Sequence, residues 1–481
     1  MRNILTFLFT NTSDKQTFVK NTIWLVLGEV IGRLFKLAVV VVATRQLGIE
    51  NWGIFSYALA FVSFFYILGD MGINTFITRE MSKDSTDKYK YLATSLIIKI
   101  GLLIILCIAS LLLGPHIGKI KLGMSLLTVV SLLYLSDCLR EFALSINRSL
   151  GKMEREAFSK ILMNAIITIL GIVLVIQNPS PLSLAIAYTV GSVVCTLYVI
   201  WAIRAELANV QWTFSISTLK ILYNFSWPII IISLFSFVFN IDSIMLGQLK
   251  SASDVGLYSA AQRVVQFTAI IPAFIATAIF PILSKSESDD ERSTRIFEKV
   301  MTIVFAIGIP LAVGGFLLSA DLMTFIFGSE YTTGGMTLGI LMISLLASFP
   351  NIILTHIIFS KNLQRTFIAA TSIGVLLNII LNLLLIPGYG AVGAALSVAT
   401  TQMFIMLVNW RKLKKTISFS IIPKIGVLTL SSIGMAIVIV ILHSIGVHAI
   451  ITALIAVGVY TISLLVLKEP VVSELRLLLK K

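Results

Sequence analysis

Charged residues are scarce in this amino-acid sequence. Only 12% of its 481 residues are Asp, Glu, Lys or Arg, whereas a soluble domain usually carries about 25%. Hydrophobic residues make up 57% of the chain, and its mean hydropathy is +0.97. This composition leaves too few charged side chains to cover a water-soluble fold, so the sequence predicts an integral membrane protein.

Cysteine is also rare, and its positions exclude two kinds of site. Cys107, Cys138 and Cys195 are the three cysteines, and each lies within an apolar stretch. Their spacing fits neither a metal centre nor the dense pairs of a disulfide framework. We interpret them as small buried apolar side chains and predict neither a metal site nor a bound cofactor.

The sequence lacks the usual features of an enzyme. It shows no Gly-rich phosphate-binding loop, which argues against an ATPase. The longest loop on the predicted outer face, 320–336, carries only two acidic residues, Asp321 and Glu330. A glycan polymerase or a lipid-dependent glycosyltransferase normally displays a larger outer loop with catalytic residues. We therefore predict that the chain is not an enzyme and keep that class as the weakest alternative.

The chain does have a long series of apolar stretches joined by short loops. An α-helix needs about 20 apolar residues to cross the hydrocarbon core, and it satisfies its own backbone hydrogen bonds there. Three segments without a charged residue, 161–203, 366–410 and 425–467, each hold two crossings around a turn with Gly or Pro. We predict an all-α membrane protein with fourteen transmembrane helices at 21–43, 54–78, 91–113, 122–145, 158–177, 182–203, 221–246, 257–283, 299–319, 337–359, 366–386, 392–410, 424–443 and 448–467.

The basic residues are distributed unevenly between the predicted loops. Of 37 Lys and Arg residues, 28 lie in one set of loops, at the helix ends beside these loops or in the two termini, and only four (Arg45, Lys119, Lys121 and Lys250) lie in the opposite loops. Basic loops stay in the cytoplasm. We therefore predict a multi-pass plasma-membrane protein with both termini cytoplasmic. Membrane orientation also explains the net charge of +14 better than nucleic-acid binding does.

Two segments resemble each other and indicate an internal repeat. The second predicted helix opens with Trp52-Gly53-Ile54-Phe55-Ser56 and the eighth with Val255-Gly256-Leu257-Tyr258-Ser259. Parallel repeats of this kind place the substrate between two halves. We predict an N-terminal segment (1–20), an N-lobe of helices 1–6 (21–203), a linker (204–220), a C-lobe of helices 7–12 (221–410), two additional C-terminal helices (411–467) and a cytoplasmic tail (468–481).

The first predicted helix carries three charged residues, Glu29, Arg33 and Lys36. Their spacing of four and then three residues places them on one face of the helix. Arg33 lies about 18–20 Å from the cytoplasmic end, where a charge costs roughly 2.5–3.5 kcal/mol on insertion scales. We interpret this face as the lining of a hydrated cavity. The alternative is a structural Glu29–Arg33 pair buried between helices.

Other charges inside predicted helices allow two interpretations each. Asp70 suits a partner of Arg33 or a coupling-ion site, and Asp242 suits interfacial solvation or a site. Arg263 has Ala60 at the equivalent position of the other copy, which favours a functional role. For the remaining charges near cytoplasmic ends we expect snorkelling to the lipid headgroups; these are Lys99, Asp137, Arg140 and Glu141.

Several motifs together resemble the oligosaccharide and polysaccharide flippases of the Wzx type, in the multidrug/oligosaccharidyl-lipid/polysaccharide exporter superfamily. The matching residues cover nearly the whole chain and are Ala43-Thr44-Arg45-Gln46-Leu47-Gly48, Trp52-Gly53, Gly69-Asp70-Met71-Gly72-Ile73, Arg79-Glu80, Trp227-Pro228, residues 241–247, residues 255–263, Leu381-Asn382, Ile386-Pro387, Gly390 and Gly393.

The resemblance implies alternating-access transfer of a polyprenyl-phosphate- or polyprenyl-diphosphate-linked oligosaccharide from the cytoplasmic to the outer leaflet. Arg33 and Arg263 look like arginines that contact the diphosphate in related flippases, and a guanidinium matches phosphate geometry. We expect substrate binding by Arg33, Lys36 and Arg263, and ion coupling or charge balance by Glu29, Asp70 and Asp242.

The resemblance also implies coupling to an ion, either H⁺ or Na⁺, with no other cofactor. We expect a monomer that associates with glycan-biosynthesis proteins. A cation-coupled multidrug exporter of the same superfamily is the main alternative, although such exporters usually have twelve helices and acidic drug sites.

Overall fold

The protein is almost entirely helical. The structure is a computed structural model that describes residues 14–83, 87–210, 212–236, 238–276, 290–361 and 363–467. These ranges contain no β-strand, which confirms the all-α prediction. Most of the predicted N-terminal segment (1–20) and all of the predicted tail (468–481) lie outside the described residues.

A 3₁₀ turn at Ser329–Gly334 joins two of the helices. They are α1 (Asp14–Asp70), α2 (Ile73–Met81), α3 (Lys88–Leu113), α4 (Met124–Ser149), α5 (Met153–Gln177), α6 (Pro181–Ala202), α7 (Arg204–Ala208), α8 (Ile216–Ser236), α9 (Val238–Leu249), α10 (Ala252–Thr268), α11 (Asp290–Leu317), α12 (Ser319–Phe327), α13 (Gly335–Ile343), α14 (Leu345–Ser360), α15 (Gln364–Lys414), α16 (Ile422–Ser444) and α17 (Ala449–Val466).

The apolar segments of these helices make the chain a multi-pass membrane protein. Within the described ranges, nine helical segments are long and apolar enough to cross a bilayer. The count of fourteen crossings stays a prediction.

A local signal explains where α6 begins. Its first residue is Pro181, which follows Ser180, and the Ser180 Oγ accepts a hydrogen bond from the Ser183 amide at 3.2 Å. Ser is a preferred N-cap and Pro fits the first helical position.

One of the predicted helices is broken in the structure. Predicted helix 54–78 stops at Asp70 and resumes at Ile73, because Met71 and Gly72 have positive φ angles of 41° and 75°. A left-handed residue cannot continue a right-handed helix. Predicted helix 337–359 continues through Ser344, whose backbone angles stay right-handed at φ −60° and ψ −18°, although its side chain donates to the Leu341 carbonyl at 2.6 Å.

Two glycines separate helices that were predicted as neighbouring crossings. Gly48 interrupts α1 with φ 72°, between predicted helices 21–43 and 54–78. Gly390 interrupts α15 with φ 54° and ψ −129°, between predicted helices 366–386 and 392–410. Glycine adopts these angles at little steric cost. A kink at one glycine therefore replaces each of the predicted loops 44–53 and 387–391.

The described residues form two compact units, one up to Gly256 and one from Leu257. In the first unit, α1 packs along α5, and α4, α5 and α6 pack together. Its core includes Phe76, Leu92, Phe142 and Val199. The lobes 21–203 and 221–410 were predicted from an internal sequence repeat, whereas these two units are defined by contacts. The lobes therefore stay predictions.

Two glycines of the predicted repeat meet each other inside the first unit. A Cβ on Gly53 would lie 1.8 Å from the Ala252 carbonyl oxygen, and a Cβ on Gly256 would lie 2.2 Å from the Ile49 carbonyl oxygen. Ile49 and Ala252 each stand four residues before their glycine, so the contact is reciprocal. Only glycine permits backbones to approach this closely.

In the second unit, the last two helices pack on α11. Residues Ile303 and Ile309 of α11, Leu428 and Met435 of α16, and Tyr460 of α17 belong to one buried cluster. The Tyr460 hydroxyl also donates to the Ala306 carbonyl at 2.8 Å. The predicted additional helices are therefore part of this unit's core.

Candidate functional site

The charged face of α1 packs against α5 through two glycines. A Cβ on Gly28 would lie 2.9 Å from the Cα of Ala157, and a Cβ on Gly32 would lie 3.0 Å from the Asn164 amide nitrogen. Small residues let helix backbones approach closely in a membrane. This close contact fixes Glu29, between the two glycines, beside α5.

Glu29 is the centre of a three-residue ion-pair cluster. Its carboxylate accepts hydrogen bonds from Arg33, one turn along α1, and from Lys160 of α5. Arg33 keeps 35% of its side-chain surface exposed and Glu29 27%. Lys36 is half-buried on the next turn. The structure thus brings Glu29 and Arg33 together and leaves the charged face partly open.

Lys160 was missed as a member of this cluster. Lys160 lies within predicted helix 158–177, but it precedes the uncharged stretch 161–203 and was counted with the basic residues of the cytoplasmic side. In the structure α5 begins at Met153, so Lys160 lies two turns inside a helix. Two charged residues in the first turn of α5 also contact other helices. Glu154 accepts from Lys20 at 3.0 Å, and Arg155 donates to the Ala202 carbonyl at 2.6 Å.

Asp70 pairs with Lys99 rather than with Arg33. The Lys99 Nζ donates to Asp70 Oδ1 at 3.0 Å and to Asn74 Oδ1 at 2.9 Å. The Lys99 side chain is 0% exposed, so the expectation that it snorkels to headgroups is wrong. The reason is its position on α3, where it lies on the same buried stripe as Leu92, Ser95 and Leu103.

The acidic and basic residues near the end of α4 also pair inside the protein, against the expectation of snorkelling. Arg140 bonds Asp137 at 3.4 Å and Glu141 at 3.2 Å. Ser192 of α6 donates to the same Asp137 oxygen at 2.6 Å. Arg148 bridges Glu141 at 3.1 Å and Glu156 at 2.7 Å, which links α4 to α5.

The remaining predicted site residues lie on α9 and α10. Asp242 of α9 is 1% exposed, so solvation at the membrane surface does not explain it. Arg263 of α10 is half-buried, and its Nη1 donates to Gln266 Oε1 at 3.3 Å. Arg263 belongs to the second unit and is described there on its own.

The cysteines match their predicted character. Cys138 and Cys195 are buried, Cys107 is half-buried, and all three are free thiols. Across the described ranges, no group of three or more His, Cys, Asp or Glu side chains is placed to hold a metal ion.

The chain matches a known family over more than half of its length. The family model described as polysaccharide biosynthesis protein covers residues 18–287. The chain belongs to this family. A second model, MatE, matches residues 228–384.

Several known proteins are similar to this chain in sequence or in structure. It is 24% identical over 421 residues to the "Probable low-salt glycan biosynthesis flippase Agl15" of Haloferax volcanii, covering 87% of this chain and 88% of that protein. The lipid II flippase MurJ, in an inward closed conformation, superposes with a TM-score of 0.78 at 18% identity, over 94% of this chain and all of that one. An inward-facing multidrug resistance MATE transporter gives 0.61 at 15% identity, over 82% and 98%. These similarities show the fold.

Proposed function

We propose that this protein is a flippase that moves a polyprenyl-linked oligosaccharide from the cytoplasmic to the outer leaflet by alternating access. The observation that carries the proposal is the partly open basic face of α1, where Arg33 and Lys36 lie within a predicted transmembrane segment. Membership of the polysaccharide biosynthesis family and the flippase name of the Haloferax volcanii relative support the same substrate class.

The chemistry of the α1 face suits a phosphate or diphosphate linkage. A guanidinium binds phosphate oxygens through paired hydrogen bonds, and an ammonium adds a compact positive charge. Glu29 neutralises part of this charge while no substrate is bound, because its carboxylate accepts from both Arg33 and Lys160. In the proposal, the substrate phosphate takes over hydrogen bonds that Glu29 accepts in this structure.

The same proposal includes orientation, a second contact and energy coupling. Both termini are cytoplasmic, which the loop distribution of Lys and Arg supports. Arg263 supplies a further cationic contact, and Asp70 and Asp242 balance charge. Transport is driven by a gradient of H⁺ or Na⁺. The protein works as a monomer and associates with glycan-biosynthesis proteins.

The test is Arg33→Ala in reconstituted liposomes. A fluorescent polyprenyl-diphosphate oligosaccharide is added, and the fraction oxidised by impermeant periodate reports its leaflet. We expect the initial flipping rate to fall about tenfold to a hundredfold, since a hydrogen bond to a charged group contributes roughly 1.5–3 kcal/mol.

Arg45→Ala is the matched control, because Arg45 lies on the same helix but is exposed and falls in a predicted outer loop. It should flip at the wild-type rate. Unfolding temperatures of both variants in detergent separate a lost contact from a lost fold. A stable Arg33→Ala protein that flips normally would contradict the proposal.

A multidrug exporter is the second candidate, because the MatE model matches residues 228–384 and a MATE transporter shares the fold. The basic residues on α1 favour an anionic substrate instead. Expression in a drug-sensitive host separates the two. Drug resistance together with no flipping of the labelled glycolipid would favour export of drugs.

A further inference from the structure

The helix break at Met71-Gly72, inside predicted transmembrane helix 54–78, lies beside two side-chain oxygen atoms. α1 ends at Asp70, Met71 and Gly72 have positive φ, and α2 begins at Ile73. Met71 at φ 41° is a strained conformation for a residue with a side chain, and such strain often marks a functional segment. A Cβ on Gly72 would lie 3.1 Å from Ile229, so α8 packs directly against the break.

Two side chains at the break present oxygen atoms to one point. Asp70 is the last residue of α1, and Asn74 lies in the first turn of α2. Their Oδ1 atoms lie 3.0 Å and 2.9 Å from the same Lys99 Nζ. The C-terminal end of a helix adds partial negative charge, so α1 also favours a cation here.

The cation between the Asp70 and Asn74 oxygens is the side-chain ammonium of Lys99. Lys99 reaches it from α3, and its side chain is 0% exposed while that of Asp70 is 30% exposed. The Phe142 ring of α4 lies 5.7 Å from the ammonium, within the range of cation–π attraction. The carboxylate thus contacts the surroundings, whereas the ammonium is enclosed by protein.

Broken transmembrane helices with oxygen ligands are where transporters bind small cations. Distances of 2.9–3.0 Å are those of an ammonium, and a carboxylate with an amide oxygen also suits an alkali cation. We propose that the break between α1 and α2 is a monovalent-cation site that the ammonium of Lys99 fills permanently. It follows that a driving cation binds elsewhere, and that removing the amine without filling its space opens the site to Na⁺.

The experiment compares Lys99→Ala with Lys99→Met in the purified full-length protein. Alanine leaves a space beside Asp70 and Asn74, whereas methionine fills most of it and carries no charge. Unfolding temperatures are measured in NaCl, KCl and choline chloride at equal ionic strength, and binding of ²²Na⁺ is measured on the same samples.

The wild type is the reference in each salt, because a driving Na⁺ bound elsewhere would raise the unfolding temperature of every variant in NaCl alike. Lys99→Ala should be less stable in choline chloride and regain most of the loss in NaCl, with new ²²Na⁺ binding that an added Asp70→Asn removes. Lys99→Met should be equally destabilised in every salt. Equal destabilisation of Lys99→Ala in all three salts would overturn the proposal.

A second measurement does not depend on the folding of the alanine variant. Asp70→Asn in the wild-type background keeps Lys99 and weakens only its anionic partner. If the Asp70 carboxylate serves the ammonium alone, ²²Na⁺ binding by Asp70→Asn equals that of the wild type. A loss of Na⁺ binding on this substitution would show that Asp70 binds an external ion beside Lys99, and would overturn the proposal.

Discussion

The two compact units place different polar groups in their interiors. In the described part of the first unit, buried cations pair with carboxylates: Lys99 with Asp70, and Arg140 with Asp137 and Glu141. In the described part of the second unit, two pairs of side-chain amides form hydrogen bonds, each with a buried donor. Asn409 donates to Asn351 at 3.0 Å, and Asn382 donates to Asn378 at 3.1 Å.

This difference determines how each unit responds to the loss of one partner. Desolvating a charge costs several kcal/mol, and removing its partner leaves that cost without compensation. An unpaired amide costs about 1–3 kcal/mol. We therefore expect the loss of one partner to destabilise the first unit more than the second. The second unit is connected internally by contacts that change little with salt.

The largest expected effect is in the first unit, from Arg140→Met. Arg140 is 7% exposed, and methionine replaces its length but removes the cation shared by Asp137, which keeps Ser192, and Glu141, which keeps Arg148. We expect the free energy of unfolding to fall by about 3 kcal/mol, the lower end of the range for a broken buried pair. Titration with SDS in mixed micelles, followed by tryptophan fluorescence, measures it.

The matched control for Arg140→Met is an arginine of the second unit. Arg295 pairs with Glu291 at 3.5 Å, and the two side chains are 75% and 88% exposed. Arg295→Met should cost about 0–1 kcal/mol, as exposed pairs do. Equal losses for the two variants would mean that the burial of Arg140 does not govern its contribution.

A smaller effect is expected from the amide pair of the second unit. Asn409→Leu removes the donor to Asn351 and should cost about 1–2 kcal/mol, because a half-buried acceptor loses its partner. The double variant Asn351→Leu/Asn409→Leu should be no less stable than Asn409→Leu alone, since no unpaired amide remains. The same SDS titration measures both.

The result of the double variant separates a neutral pair from a structural network. If Asn351→Leu/Asn409→Leu loses the sum of the two single losses or more, each amide has a further essential contact. The second unit would then resemble the first in its dependence on polar partners, and the contrast between the units would fail.

Composition and periodicity were sufficient for most helix positions. Predicted helix 182–203 is α6 (Pro181–Ala202), and 448–467 is α17 (Ala449–Val466). A continuous apolar stretch between turn residues marks a helix whatever it packs against. The break at Met71-Gly72 was missed because glycine is common in transmembrane helices, so Gly69 and Gly72 gave no distinct signal.

The partners of the charged residues on other helices could not be predicted from the sequence. Glu29 and Lys160 are 131 positions apart, and Asp70 and Lys99 are 29 apart. Spacing along one helix identified the Glu29–Arg33 pair because it is local. A contact between helices depends on which faces meet, and a single sequence does not contain that information.

The smallest effect we predict tests the hydrogen bond that joins α17 to α11. The Tyr460 hydroxyl donates to the Ala306 carbonyl at 2.8 Å, and Tyr460→Phe removes this oxygen while keeping the ring in its cluster. The loss should be about 0.5–1.5 kcal/mol, the net value of a neutral hydrogen bond. Tyr389→Phe, at a side chain 64% exposed, is the control and should change nothing. A loss as large as that of Arg140→Met would show that a neutral hydrogen bond in the second unit contributes as much stability as a buried ion pair in the first. That result would contradict the expectation that a charge left without its partner costs more than a neutral group.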